Sequence, residues 1–347
     1  MRKVKWGVIG AGGIAYRRTI PEGIIPAWNA ELVAVMDVRK EIVDELVSRY
    51  GVRGYTEEER IIQDRDVEAL YIATPVYLHY SQTIKALEAG KHVLCEKPLA
   101  LSVEEAEEMV KRAREKKLKL GMGLMMRFHR HHLKFREMVS KGELGTPVMG
   151  RAQLSCWYPP IEGAWRQDPD KGGGGSLIDM GNHCIDILEF IFQTRVKEVT
   201  CILNTLIHNY PVEDTAVMLV KFENGALGVV DSCFSIPDHG SRNRLELYGT
   251  KGSILAEGTI GQSPGGEAVA YLSREVGGYD AQQTREMVEG ERIEVEPYNT
   301  YQAEIEEFSR AIIEDRQPPV SGEDGVWNQK ILLAAYESHR RGRRIPL

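Results

Sequence analysis

The sequence predicts an α/β fold, in which a doubly wound parallel sheet is followed by an α+β domain with a large, mostly antiparallel open sheet. Three observations support this prediction. Short apolar runs alternate with helical patterns in the first third, a glycine-rich turn follows the first run, and beyond Met122 strand-like runs follow one another directly. Because 347 residues exceed the usual size of one hydrophobic core, we expect two domains, at residues 1–122 and 123–347.

The first domain alternates between two kinds of regular structure. Apolar runs predict buried strands at residues 4–9, 31–36, 52–55, 67–73, 92–95 and 118–122. Helical patterns lie between them, at residues 42–50, 57–63, 78–89 and 102–117. Strands that alternate with helices in this way are typical of a parallel sheet, because each helix returns the chain to the same end.

The second domain shows a different pattern. Strand-like runs occur at residues 148–157, 196–206, 215–222, 226–234 and 244–247, and helical patterns at residues 301–313 and 325–340. Asn224-Gly225 separates two of these runs and is a strong hairpin signal. The polar, glycine-rich residues 261–290 predict a long loop or a weak hairpin. Together these features predict a largely antiparallel sheet.

A glycine-rich turn follows the first predicted strand and reads Gly-Ala-Gly-Gly-Ile-Ala, the pattern G-x-G-x-x-A. Gly10 suits a tight turn, and Gly12 lets the backbone approach a pyrophosphate. Ala15 allows close packing of helix on strand, and the helix N-terminus donates to phosphates. Gly13 and Ile14 complete the candidate cofactor contacts of this turn. Alone, such a turn is a weak signal, because glycine-rich turns are common.

An acidic residue ends the second predicted strand and strengthens that signal. Asp37 stands twenty-two positions after Ala15, where a carboxylate can accept hydrogen bonds from adenosine ribose hydroxyls. The two features together predict a Rossmann-type dinucleotide-binding domain. Asp37 would repel a 2′-phosphate, which favours NAD and leaves NADP possible. Arg39 could soften that preference, or it could be a solvated residue at the start of the next helix.

The fifth predicted strand ends in Glu96, Lys97 and Pro98. Open α/β sheets bind their ligands at the carboxyl ends of strands, so Lys97 stands where a ligand is expected. Pro98 fixes its own φ and keeps Lys97 out of helical geometry. Without further context, an ordinary lysine in a strand-to-helix turn is the favoured explanation of this pattern.

A carboxylate and an imidazole lie four positions apart in the second domain. Asp179 and His183 follow the glycine run at residues 172–175, and on a helix they would share one face. A carboxylate beside an imidazole holds its tautomer and raises its basicity, as a general base for an alcohol requires. The alternative is a surface pair that follows a flexible loop. Asp186, three positions after His183, is either a supporting partner or another surface acid.

Several stretches resemble the Gfo/Idh/MocA family of NAD(P)-dependent oxidoreductases, which includes glucose–fructose oxidoreductase and inositol dehydrogenase. The resemblance rests on Ala73-Thr74-Pro75 with His79, and on the run from Ala86 to Ala100 that contains Glu-Lys-Pro. It implies that the Asp-x-x-x-His element faces the Glu-Lys-Pro lysine across the nicotinamide. It also implies cofactor contacts beyond the glycine turn, from Thr74, Pro75, His79, Glu96 and Lys97.

The resemblance further implies a substrate side formed by Arg127, by Trp165-Arg166 and by His183. An indole suits a sugar face and guanidinium donors suit hydroxyls, although packing and surface charge explain Arg127, Trp165 and Arg166 equally well. The implied reaction is oxidation of a secondary alcohol of a sugar, sugar derivative or cyclitol by hydride transfer to nicotinamide. Lys97, Asp179 and His183 are its candidate catalytic residues, and a homo-oligomer (dimer or tetramer) is expected through the open sheet.

Two other functions remain open within the same family. One is glycoside cleavage that uses tightly held NAD for a transient oxidation. The other is a non-catalytic regulator that keeps the nucleotide fold and senses a sugar or NAD. Retention of Lys97, Asp179 and His183 argues against the regulator.

Composition limits the classes of partner. The formal net charge is −7, so no general positive field attracts nucleic acid or an anionic membrane. The basic run at residues 111–119 is explained by a helix end, because Ser102 and Glu105 form a capping-box pattern at its start. We therefore expect neither a nucleic-acid nor a membrane partner.

The cysteine pattern and the N-terminus predict a cytoplasmic protein. No Cys-x-x-Cys occurs, and the five cysteines are dispersed: Cys95, Cys156, Cys184, Cys201 and Cys233. Such usage is typical of thiols in a reducing compartment. The first apolar run is brief and ends in the glycine turn, unlike a signal peptide.

A histidine cluster near the domain boundary is not expected to bind metal. His129, His131 and His132 are irregularly spaced, and no cysteine or acidic ligand pattern lies nearby. We predict that they form a polar turn.

Overall fold

The computed structural model describes residues 2–273, 281–282 and 288–347. These residues divide into two compact units. The first contains the chain up to Met125 together with Gly163–Gly174 and Asn299–Lys330. The second contains Met126–Glu162, Gly175–Tyr298 and Ile331–Leu347.

The described residues of the first unit form a parallel sheet of six strands: β1 (Val4–Ile9), β2 (Ala30–Met36), β3 (Arg53–Tyr55), β4 (Ala69–Ile72), β5 (His92–Glu96) and β6 (Leu120–Gly123). Their order is β3-β2-β1-β4-β5-β6, with every neighbouring pair parallel. The doubly wound sheet predicted from the sequence is therefore confirmed. The strand order reverses at β1, and open sheets bind ligands outside the carboxyl ends at such a switch point.

The α-helices of the described residues are α1 (Lys40–Tyr50), α2 (Glu58–Ile62), α3 (Val76–Glu88), α4 (Val103–Lys116), α5 (Arg130–Ser140), α6 (Pro169–Gly172), α7 (Asn182–Phe192), α8 (Thr300–Ile313) and α9 (Gly322–Arg341). Two segments are π-helical (Ala15–Ile24 and Leu177–Gly181), and three are 3₁₀ turns (Met125–Phe128, Trp165–Gln167 and Asp238–Gly240). The predicted cap of α4 is confirmed, because Ser102 Oγ accepts a hydrogen bond from the Glu105 amide at 3.1 Å. No described helix has both the length and the apolar character needed to cross a membrane.

The core of the first unit includes a helix from near the end of the chain. Ile305 and Phe308 of α8 are buried in the same cluster as Trp6 of β1. The Trp6 and Phe308 rings lie 5.5 Å apart, and Trp6 Nε1 donates to Ser309 Oγ at 3.0 Å. The predicted division at residue 122 did not anticipate this, because the apolar stripe of a helix does not reveal which sheet it covers.

The described residues of the second unit form a sheet of nine strands: β7 (Pro147–Ser155), β8 (Val196–Asn204), β9 (Thr215–Phe222), β10 (Leu227–Cys233), β11 (Arg244–Gly249), β12 (Gly252–Glu257), β13 (Glu267–Leu272), β14 (Glu291–Arg292) and β15 (Ile345–Pro346). Their order is β14-β13-β12-β11-β7-β10-β9-β8-β15. Among these described strands, β7 and β10 pair in parallel and the other neighbours are antiparallel. The predicted mostly antiparallel sheet is confirmed.

Two details of this sheet test the turn signals. Asn224-Gly225 joins β9 to β10 as a hairpin, with the Phe222 amide donating to the Ala226 carbonyl at 2.9 Å. Residues 261–290 contain more structure than the predicted loop or weak hairpin, since β13 pairs along its length with β12. Part of that segment, residues 274–280 and 283–287, lies outside the described residues.

Candidate functional site

The glycine-rich turn joins β1 to the first helix. Gly10 has a φ of 82°, and a Cβ there would lie 2.8 Å from the Ala73 backbone, so the turn requires glycine. A Cβ on Gly13 would come no nearer than 4.0 Å to a described atom, which leaves open space beside the turn. Ile14 precedes the helix that begins at Ala15, and the N-terminus of a helix is a general binding site for phosphate oxygens. The turn therefore fits a dinucleotide.

Asp37 and Arg39 lie directly beside this turn. The Asp37 carboxylate is buried; its Oδ2 accepts from the Gly12 amide at 2.7 Å. Its Oδ1 accepts from the Arg39 amide and from Arg39 Nε, both at 3.1 Å. A Cβ on Gly12 would lie 1.8 Å from Arg39 Nη2, so the guanidinium lies over the turn. The acid expected to select NAD and the cation expected to soften that choice are thus in contact.

Replacing Asp37 by serine should lower the preference for NADH over NADPH by about tenfold or more, because hydrogen bonds to a charged group contribute about 1.5–3 kcal/mol. The measurement is the ratio of the two dissociation constants by fluorescence titration. Asp44→Ser, at an exposed carboxylate paired with Lys40, is the matched control and should leave the ratio unchanged. An unchanged ratio in Asp37→Ser would identify Arg39 as the main determinant.

His79 connects the Thr74-Pro75 and Lys97-Pro98 turns at the ends of β4 and β5. Its ring is 1% exposed; Nδ1 lies 2.9 Å from the Pro98 carbonyl oxygen and Nε2 lies 2.9 Å from that of Thr74. Burial lowers the pKa of His79, and the hydrogen bonds to the Pro98 and Thr74 carbonyls oppose that shift. The Lys97–Pro98 peptide is cis. His79 thus links the two turns through its two ring nitrogens.

A polar network surrounds the end of β5. The Tyr71 hydroxyl donates to Glu96 Oε1 and accepts from Thr19 Oγ1 at 3.0 Å. Glu96 Oε2 accepts from the Lys97 amide at 3.2 Å. Burial raises the pKa of Glu96, opposed by the Tyr71 hydrogen bond and the Lys97 charge. Burial and then the Glu96 charge raise the pKa of Glu304 well above its usual range. The network fixes the Glu96 carboxylate, which in turn accepts from the main-chain amide of Lys97.

Trp165 and Arg166 lie in the first unit, with Lys97. They form a 3₁₀ turn in which the Arg166 guanidinium carbon lies 4.2 Å from the Trp165 ring centroid. The segment is held close to the start of α4, since a Cβ on Gly173 would lie 3.3 Å from Leu101 Cδ2. The boundary predicted at residue 122 had placed this segment in the second domain. The sequence of a short polar turn does not reveal which unit the turn packs on.

Asp179 and His183 lie in the second unit on one continuous helix. Its first turn, Leu177–Gly181, is π-helical, and α7 continues from Asn182. Residues four positions apart share a face in either geometry, so the predicted arrangement on one helix face is confirmed. Asp179 is half-buried and His183 is 6% exposed. The imidazole is thus shielded from bulk water, whereas Asp179 is partly exposed.

Arg127 and Asp186 form a buried ion pair in the second unit. Arg127 Nε lies 3.0 Å from Asp186 Oδ1 and 2.9 Å from Oδ2, and the two side chains are 11% and 3% exposed. This resolves the alternatives for Asp186, which is a partner of Arg127 and not a surface acid. Bidentate pairing fixes the guanidinium plane and favours a positioning role for Arg127.

The three neighbouring histidines are engaged by backbone carbonyls. His129 Nε2 lies 2.9 Å from the Gly265 oxygen, His131 Nε2 lies 3.2 Å from that of Ile293, and His132 Nδ1 lies 2.8 Å from that of Met126. Burial lowers the pKa of His129 to about 4 and that of His132 to about 3. Within the part of the chain that the structure describes, no cluster of His, Cys, Asp or Glu is arranged for a metal ion.

The predicted site residues therefore fall into two groups. The first unit contains Gly10, Gly12, Gly13, Ile14, Asp37, Arg39, Thr74, Pro75, His79, Glu96, Lys97, Trp165 and Arg166. The second unit contains Arg127, Asp179 and His183. Sequence reasoning missed Tyr71 and Glu304, which reach the end of β5 from β4 and α8 without a motif of their own.

Comparisons with known proteins identify the family of both halves of the chain. Residues 4–124 match the model of an oxidoreductase family with an NAD-binding Rossmann fold, and residues 132–255 match the GFO/IDH/MocA C-terminal domain. The chain is 32% identical to 1,5-anhydro-D-fructose reductase of Ensifer adhaerens, over 97% of each protein. It is 29% identical to myo-inositol 2-dehydrogenase of Thermotoga maritima, over 98% of each.

A solved structure gives the same result for the fold. Aldose-aldose oxidoreductase from Caulobacter crescentus, complexed with glycerol, superposes with a TM-score of 0.88 at 26% identity, over 100% of both chains. The family models and the solved structure thus agree with a Rossmann-type first half and with the two-sheet architecture. The chain belongs to the Gfo/Idh/MocA family and is an NAD-binding oxidoreductase.

Proposed function

We propose that this protein oxidises a secondary alcohol of a sugar, sugar derivative or cyclitol, with NAD as the preferred hydride acceptor and NADP as a possible one. The observation that carries the proposal is the position of Lys97 directly after the carboxyl end of β5 in an NAD-binding fold, with its main-chain amide held by Glu96. Two relatives are named for a sugar derivative and for a cyclitol, which supports this substrate class.

The proposed chemistry divides among three side chains. Bound NAD supplies the hydride acceptor, and its site is the glycine turn with Asp37. His183 accepts the proton of the substrate hydroxyl, and Asp179 orients the imidazole and stabilises its positive charge. Lys97 donates a hydrogen bond to the reacting oxygen, which stabilises negative charge as the proton leaves. The proposed substrate-side residues are Trp165, Arg166 and Arg127. The ion pair with Asp186 fixes the orientation of the Arg127 guanidinium.

A panel of polyols, inositols, aldoses and simple glycosides, each incubated with NAD⁺ or NADP⁺, tests the proposal. We expect reduced nicotinamide to accumulate with at least one of them. Glycoside cleavage without such accumulation would contradict it in favour of the transient-oxidation alternative. NADH binding without either activity would contradict it in favour of a regulator.

We also propose that the open sheet face joins two or more copies of the chain. Ile202 of β8 and its β9 partner Val217 point to the same face as Leu219, and all three are exposed. Neighbouring exposed apolar side chains of this kind mark association surfaces.

Replacing Leu219 by lysine should convert the oligomer to monomers, because a charge on the apolar face would be desolvated on association. Sedimentation velocity measures the change. Ile25→Lys is the matched control, since Ile25 is 47% exposed against 50% for Leu219 but lies in the first unit. A monomeric wild type, or equal dissociation in both variants, would contradict the proposal.

A further inference from the structure

The turn before the Asp179–His183 helix is held by the buried side chain of Glu213. Its Oε2 accepts from the Gly175 amide at 3.0 Å, and its Oε1 accepts from the Leu177 amide at 2.9 Å. The Tyr336 hydroxyl donates to Oε1 at 2.7 Å. Between these contacts, the Ser176 amide donates to the main-chain oxygen of Glu213 at 3.0 Å. Glu213 therefore accepts hydrogen bonds from three successive main-chain amides, those of residues 175–177.

The backbone approach is close enough to dictate sequence. A Cβ on Gly175 would lie 1.9 Å from the Glu213 carbonyl oxygen, so no other residue fits without displacing one strand of chain. Ser176 Oγ also donates to the Ser232 carbonyl oxygen of β10 at 3.2 Å. The last glycine of the run 172–175 is thus explained by contact with Glu213.

The Glu213 contact lies at the N-terminal end of the helix that carries Asp179 and His183. The first amide groups of a helix have no partners within it, and a carboxylate satisfies them favourably. Two oxygens that each hold a different amide fix both the position and the rotation of the first turn. Asp179 is two residues beyond Leu177, and His183 is four residues further along the same helix. A displacement of the first helical turn would therefore move both side chains.

The burial and the hydrogen bonds of Glu213 fit a carboxylate that accepts hydrogen bonds from the turn. Glu213 is 8% exposed, and burial raises its pKa. The hydrogen bonds from Tyr336, Leu177 and Gly175 oppose that rise. The ionised carboxylate accepts all three donors at once, whereas an amide in its place would turn a donor toward one of them.

We propose that Glu213, supported by Tyr336, is a positioning residue that sets the orientation of Asp179 and His183. This inference rests on the proposed function, in which those two side chains handle the hydroxyl proton. It assigns no direct contact with substrate to Glu213.

The test compares Glu213→Gln with Glu189→Gln. Glu189 is also buried, and its carboxylate accepts from the Val196 amide at 2.6 Å, near the other end of the same helix. We expect Glu213→Gln to lower kcat by about 10- to 100-fold, since a misplacement near 1 Å can cost that much. The dissociation constant for NADH should not change. Tyr336→Phe should lower kcat in the same direction by a smaller factor, and Glu189→Gln should keep kcat.

Hydrogen exchange gives a readout that does not depend on turnover. Amides at residues 175–183 should exchange faster in Glu213→Gln, and those at residues 193–197 should do so in Glu189→Gln. Equal kcat losses in the two variants, or unchanged exchange at 175–183, would overturn the inference. If the wild type oxidises no alcohol, the proposed function fails, and exchange alone decides whether Glu213 anchors the turn.

Discussion

Replacing Lys97 by methionine should lower kcat for alcohol oxidation by about 10²- to 10⁴-fold, the usual contribution of a positioned proton-handling group. Methionine keeps an unbranched apolar chain at the end of β5 but removes the hydrogen-bond donor. NADH binding should persist, because the glycine turn and Asp37 are unchanged. Steady-state kinetics with the best substrate of the panel, together with a fluorescence titration of NADH, measure both quantities.

Lys91→Met is the control, because Lys91 directly precedes the first residue of β5. Lys91 Nζ donates to the carbonyl oxygens of Asp64 and Val67, both at 2.7 Å, and the residue is buried. Lys91→Met should therefore lower the melting temperature and leave kcat intact. Wild-type kcat in Lys97→Met, or an equal loss in both variants, would remove Lys97 from the mechanism.

Replacing His183 by asparagine should lower kcat by about 10²- to 10³-fold through loss of the general base. The smaller side chain also keeps a polar group on the helix face beside Asp179. His131→Gln is the control, since His131 is a buried histidine of the same unit whose Nε2 bonds the Ile293 carbonyl oxygen. A His183 variant that turns over as fast as wild type would show that another group accepts the proton.

Local sequence patterns predicted the cofactor-binding half well. Gly10 needs a positive φ, and Asp37 ends a strand at a characteristic distance from the turn, so both are recognisable without knowing their neighbours. The spacing of Asp179 and His183 likewise placed them on one helix face.

Features that depend on distant parts of the chain were not predictable from such patterns. Glu213 lies 38 positions from Gly175, and the Tyr336 hydroxyl reaches it from 123 positions further on. Asp186 could not be separated from a surface acid until its pairing with Arg127 was known. In each case, the sequence supplies the side chain, while tertiary packing decides its partner and its burial.

Isotope transfer tests the central claim most directly. A substrate from the panel, carrying deuterium on the carbinol carbon, is incubated with the protein and NAD⁺, and the reduced nicotinamide is analysed by mass spectrometry. The proposed mechanism predicts deuterated NADH in an amount equal to the ketone or lactone formed. Product that forms while its deuterium returns to carbon, with no deuterated NADH accumulating, would contradict net dehydrogenation.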